Sequence, residues 1–189
     1  MGTPCSTFSR ARDVPLGPPP LRSDALPLGL PSLSAKDAEA VKNGNIIMRF
    51  TARIANIATS MQIMWSLENP RTSRLWLCPP IQRLIQNQNT HMIHIEFCRF
   101  GTPWRKSTSW LHFKVDLTPL AEFRCTGPRC VVTGKKHLVL SGKDSAGRWR
   151  THIAEPYPRK LCNKIALCFV NSFARSKAKE LTRLINVVA

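Results

Sequence analysis

The chain has 189 residues, of which 43% are hydrophobic, and its 28 Lys+Arg outnumber 11 Asp+Glu for a formal net charge of +17. That is enough apolar content for one buried core and a tail, while the absence of any long apolar run argues against a membrane-spanning segment. The basic excess is spread along the chain rather than gathered at the front, which points to a polyanionic partner, because neutralising phosphates releases counterions; nucleic acid is expected, DNA in preference to RNA. No secretory pattern stands at the start, so an intracellular protein is expected, with the nucleus favoured over the cytoplasm. Seven cysteines, an odd number, read as reduced thiols rather than a disulfide frame.

In chain order, Met1–Leu33 is rich in Pro and Gly around Pro18-Pro19-Pro20 and should be irregular or extended. By composition alone it is a disordered leader. Ser34 can cap a helix with Asp37 as a variant capping-box partner, and apolar residues then recur at Ala38, Val41, Ile47, Phe50, Ile54, Ile57 and Ala58 at roughly helical spacing. Gly44 interrupts this pattern and reads as a helix start or break. Gln62–Leu67 is a short apolar run that reads as a buried strand, closed by Glu68-Asn69-Pro70. Thr72 or Ser73 can cap a helix to about Gln88, broken or kinked at Pro79-Pro80. Met92–Phe100 and Trp110–Leu117 are expected as strands, with Lys136–Leu140 a possible fourth. From Pro158 a long helix should run to the C-terminus, its apolar face carrying Leu161, Ile165, Cys168, Phe169, Leu181, Leu184 and Ile185. Alternating strands and helices predict α/β with a largely parallel sheet, in which sites form at the carboxyl ends of strands, where Glu68 stands.

Two segments then carry chemistry. Gly2-Thr3-Pro4-Cys5-Ser6-Thr7-Phe8-Ser9-Arg10-Ala11 resembles the Gly-x-Pro-Cys-x-x-Phe-Ser-x-Ala motif of DNA cytosine-5 methyltransferases. Glu68-Asn69-Pro70, after an apolar strand, resembles that family's Glu-Asn-Val motif with Pro in place of Val. The resemblance implies that Cys5 is a nucleophile towards C6 of a flipped-out cytosine and that Glu68 holds and protonates N3. Pro4, Ser9, Asn69 and Pro70 would line the substrate. An active thiol should carry a depressed pKa, and a carboxyl in a partly buried cleft a raised one.

A third segment, Cys98-Arg99-Phe100-Gly101-Thr102-Pro103-Trp104-Arg105-Lys106-Ser107-Thr108, is similar to a Tyr-Gly-x-x-x-x-Lys-Pro-Thr pattern of phage and mobile-element relatives. Better-known members carry a pocket-organising Gln-x-Arg-x-Arg motif there, for which this chain offers Glu96, Arg99 and Arg105. Arg99, Trp104, Arg105 and Lys106 are candidate substrate contacts, either a phosphate-and-stacking surface or a solvated basic loop. The basic residues from Arg124 to Arg150 occupy the position of target recognition in the family.

The resemblance covers about residues 1–170, a partial Rossmann-like class I methyltransferase domain lacking its first strands, with a Pro-rich loop at 12–33 and a C-terminal helical tail at 171–189. It implies S-adenosylmethionine as cofactor, yet no Gly-rich donor-binding loop occurs in the sequence. The expectation is therefore a truncated enzyme of mobile-element type, inactive alone, with a possible partner chain supplying the missing half; the alternative is a non-catalytic basic nucleic-acid-binding remnant. Cys125-x4-Cys130 with His137 could supply three zinc ligands. The spacing is not that of a standard finger, and a fourth ligand from Cys162 or His152 would be distant in sequence, so these cysteines read as structural and no metal is expected.

Overall fold

The computed structural model describes residues 1–14 and 18–188, the side chains of residues 181 and 183–188 excepted. Pro15–Gly17 of the expected Pro-rich loop, Ala189 of the tail, and the side chains of Leu181, Leu184 and Ile185 lie outside the described residues. Among the described residues, three strands, β1 (Trp65–Pro70), β2 (Thr90–Glu96) and β3 (Ser107–Phe113), combine with three helices, α1 (Ala35–Ser60), α2 (Pro79–Ile85) and α3 (Arg159–Val188). The chain is thus mixed α/β. No helix among the described residues is long and apolar enough to cross a membrane.

The sheet differs from the parallel one expected. Its order is β1-β3-β2, and β3 pairs antiparallel with both neighbours. The last strand has slipped between the first two, so β1 and β2 share a direction without touching. The N-terminal segment adds a parallel element: Gly2 bridges Glu68 in parallel, and Glu68 N donates to Met1 O at 2.9 Å.

Both faces of the sheet are covered, which is why β1 and β3 are buried along nearly their whole length rather than alternately. One face packs Trp65, Leu67, Leu111 and Phe113 against Met48 and Ala52 of α1 and Ile81 of α2. The other packs Ile93, Ile95 and Trp110 against Leu161, Ile165 and Phe169 of α3. α3 continues through 170 and 171 without a break.

Ser34 caps α1 as expected: its Oγ accepts from Asp37 N at 3.2 Å. The buried side of α1 matches the expected stripe only at Val41 and, in part, at Ala58, however. Val41, Met48, Ala52 and Ala55 face the core, while Ile47, Phe50, Ile54 and Ile57 are exposed. Gly44 neither starts nor breaks the helix but sits inside it, at a point of close approach. A Cβ there would lie 2.7 Å from Thr7 Oγ1 and 3.0 Å from an Arg22 nitrogen. The Thr72–Gln88 segment divides at Cys78 into a 3-10 turn, Arg74–Leu77, capped by Ser73, and α2, whose first residue is Pro79. Proline fits there because the first-turn N–H has no helical partner to lose. Lys136–Leu140 is not a strand: only Lys136 forms a bridge, to Arg129, and Leu138 and Val139 are exposed with no sheet edge to join.

Candidate active site

The N-terminal segment is fastened to the carboxyl end of β1 by its own sequence. Met1 N donates to Ser66 O at 2.6 Å, and the amide of Asn69 donates to Thr3 O at 2.7 Å. Thr3 also donates to Thr51 Oγ1 of α1 at 3.0 Å. The composition-based expectation of a floppy leader therefore fails. The turn after Pro4 closes through Phe8 N on Cys5 O at 2.9 Å.

Arg22, from the Pro-rich loop, locks that turn. Its guanidinium donates to Thr7 O (3.1 Å), Thr7 Oγ1 (2.9 Å), Asn45 Oδ1 (2.8 Å) and Pro27 O (2.7 Å). It also lies 3.8 Å from the centroid of the Phe8 ring, a cation–π contact. Arg74 closes the far side with ion pairs to Asp13 and Asp24 at 2.7 and 3.1 Å. A buried guanidinium is tolerable only because nearly every donor has an acceptor.

Glu68 is 6% exposed and lies on the α3 side of the sheet beside its ladder partner Trp110. Tyr157, just before α3, donates to Glu68 Oε2 at 2.6 Å. Burial pushes the carboxyl above its ordinary range; the Tyr157 hydrogen bond and the charges of Lys106 and the N-terminus oppose this. Glu68 Oε1, Asn69 Oδ1 and Trp110 Nε1 are buried with no partner among the described residues.

Cys5 is half-buried and in the same electrostatic field, which includes Lys106, Glu68 and Glu155. Its thiol is held above the usual range, chiefly by burial, with Lys106 the largest opposing charge. This corrects the expectation of a depressed thiol: the desolvation of Cys5 outweighs the nearby cation.

The remaining expected contacts divide. Lys106 reaches the site: its ammonium donates to Ala154 O at 3.0 Å and lies 4.8 Å from the Phe97 ring and 5.8 Å from that of Tyr157. Pro4 is exposed at the turn, and Pro70 accepts from Trp76 Nε1 at 2.9 Å. Ser9 caps a 3-10 turn, its hydroxyl accepting from Ala11 N. Arg99 lies over Phe123, 5.6 Å from the ring centroid. Arg105 donates to Cys125 O and Gly127 O at 3.2 and 3.4 Å, and Trp104 is half-buried. Arg105 thus holds the loop that carries Cys125.

Tyr157 and Thr51 went unremarked in the sequence. Tyr157 is the chain's only tyrosine, yet it lies 89 positions from Glu68, and nothing in its local pattern marks the contact.

The residues present do not fit S-adenosylmethionine. No Gly-rich loop follows a strand among the described residues, and two open clefts lie elsewhere. One is lined by Gln62, His91 and His112 at the opposite end of the sheet from Glu68, the other by Leu28 of the Pro-rich loop and Val41 and Asn45 of α1. Searches against protein-family models, curated proteins and solved structures return no match.

Proposed function

We propose that this chain is the cytosine-handling part of a DNA cytosine-5 methyltransferase-like protein of mobile-element type, with Cys5 as nucleophile and Glu68 as the acid that holds the base. The observation that carries the reading is the convergence of two motifs distant in sequence. Gly2 of the Cys5 segment bridges Glu68 in parallel, Thr3 O accepts from Asn69 Nδ2 at 2.7 Å, and Glu68 Oε1 is buried there with no partner among the described residues. A protonated Glu68 can donate to N3 of a cytosine, which makes C6 electrophilic; the Cys5 thiolate then adds to C6, and C5 gains nucleophilic character. Tyr157 holds the carboxyl, and the charge of Lys106 tempers its field.

The fold reading is a partial Rossmann-like class I domain. Support comes from the parallel Gly2–Glu68 bridge, with α1 as the crossover between the N-terminal segment and β1. The methyl donor would have to be held by residues outside this chain, in an adjoining segment or a partner chain. The exposed stripe Ile47, Phe50, Ile54 and Ile57 is a surface such a part could cover. DNA is the proposed polyanion, and the nucleus the proposed location.

Donor-free chemistry tests this. Reversible addition of Cys5 at C6, protonation of C5 by solvent, loss of the original C5 proton and elimination of the thiolate together exchange the cytosine H5. Incubating the chain with a single-stranded, C5-tritiated oligonucleotide should release tritium to water, and Cys5→Ser and Glu68→Gln should abolish the release. Release that persists in Cys5→Ser overturns the assignment. Salt-dependent oligonucleotide binding with no release in the wild-type chain favours a non-catalytic nucleic-acid-binding role instead.

A further inference from the structure

Away from this site, four residues from two separate stretches of chain meet. Cys98 lies in the 3-10 turn after β2, Cys125 and Cys130 in the long segment after β3, and His137 just beyond them. One ligand atom from each lies within 4.8 Å of every other. Cys125 Sγ and His137 Nε2 are 3.5 Å apart. Around a tetrahedral ion with Zn–S of 2.3 Å and Zn–N of about 2.0–2.1 Å, ligand atoms sit roughly 3.5–3.8 Å apart, so only a small contraction would close the set. The fourth ligand that Cys125, Cys130 and His137 lack in the sequence is therefore Cys98, supplied from a neighbouring strand end.

We propose that Cys98, Cys125, Cys130 and His137 hold one zinc ion in a structural, tetrahedral Cys3His site. Three thiolates and a neutral imidazole form the ligand set, and binding releases three thiol protons to solvent. The set leaves no open coordination position, which assigns the ion to folding rather than catalysis.

The segment needs such a staple. Between residues 121 and 150 the only buried side chains are Cys125 and Cys130, and Val131, Val132, Leu138 and Val139 are exposed. Cys98, Cys125 and Cys130 form a buried cluster with no other apolar member. Thirty residues that bury almost no apolar surface cannot offset their own ordering entropy.

The ligands are also held from behind. Glu96, buried at the end of β2, accepts from Cys125 N at 2.8 Å and Arg124 Nε at 3.2 Å. Arg105 binds Cys125 O, and Leu138 N donates to Pro103 O at 2.8 Å. Cys130 N pairs with Lys135 O at 2.8 Å, closing a turn at Gly134 whose φ of +66° suits glycine. A disulfide would use two of the three cysteines and give His137 no role.

The inference is independent of the assignment of Cys5. Elemental analysis of the purified full chain should find one zinc per chain, and a cobalt-substituted sample should show the intense visible absorption of tetrahedral thiolate coordination. Cys98→Ser and His137→Ala should lower the metal content several-fold, while Cys162→Ser, at an exposed cysteine, should not. Should the variants fail to fold, alkylation of the wild-type chain decides: Cys98, Cys125 and Cys130 should be protected until a chelator is added, while Cys162 reacts at once. Metal-free protein with all three cysteines reactive, or a disulfide among them, overturns the site.

Discussion

Tyr157 Oη donates to Glu68 Oε2 across 2.6 Å, tying the segment that leads into α3 to the buried end of β1. Glu68 Oε1 has no such partner. Tyr157→Phe should therefore leave the whole carboxyl without a side-chain donor and push it further upward. The expected loss is about 1–2 kcal/mol of unfolding free energy, readable by urea denaturation, with the Glu68 carboxyl titrating higher by carbon-detected NMR. An unchanged titration would mean that Tyr157 does not set the protonation of Glu68.

The pH dependence of Glu68 has a definite sign. Its folded pKa is raised, so between the unfolded and folded values the native state binds more protons than the unfolded one. The contribution is fully present below the ordinary glutamate range and is lost as pH climbs through the folded value. Glu68→Gln should remove this loss. Relative to wild type, the variant should gain stability on going from acid to neutral pH, at about 1.4 kcal/mol for each unit by which the pKa is raised. Denaturant midpoints of the two proteins across that range check it, and parallel curves would contradict it.

Gly44→Ala tests the packing of the cysteine turn. In an ordinary helix interior this change adds about 0.5–1 kcal/mol of stability. Here the added methyl would meet Thr7 Oγ1 at 2.7 Å and Arg22 at 3.0 Å. Thermal unfolding should therefore show destabilisation, with Thr7 and Arg22 displaced from each other. A more stable variant would mean that the turn does not rest on α1 at this point.

Arg22→Lys should also be costly despite keeping the charge. One ammonium cannot reproduce a planar fork that reaches Thr7, Pro27 and Asn45 while stacking on Phe8. A loss of about 2–4 kcal/mol is expected from the unpaired buried acceptors and the misfit cation, measured by chemical denaturation. A near-neutral outcome would detach the Pro-rich loop from the site.

What the sequence disclosed was local. The Ser34 cap, the prolines that open α2, and the apolar runs of β1 and β3 are decided within a few residues, by capping, by a missing N–H and by burial on both faces. The insertion of β3 between β1 and β2 could not be read, because pairing order depends on the chain's path and not on the strand's own pattern. The same holds for Gly44, whose neighbours Thr7 and Arg22 come from other segments. At the site, Cys5 and Glu68 were found by motif. Tyr157, Arg22 and Cys98 were not, since each gains its role from a partner at least fifteen residues away.

Cys5 should be a slow nucleophile in the free chain. Its thiol is raised mainly by burial, and Lys106 is the largest charge pulling it back. The thiolate fraction at neutral pH is then smaller than that of an unperturbed cysteine, and alkylation should still be accelerating above the pH where an ordinary thiol has levelled off. Lys106→Met removes the opposing charge, so the midpoint should move further up and the neutral-pH rate should fall. Glu68→Gln removes a nearby carboxylate that raises the thiol, so its midpoint should move down. Iodoacetamide kinetics at Cys5, followed by peptide mass spectrometry in the three proteins, give the two opposite displacements. If both variants moved the midpoint the same way, or neither moved it, Cys5 would not share a field with Lys106 and Glu68, and the catalytic pairing would lose its physical basis.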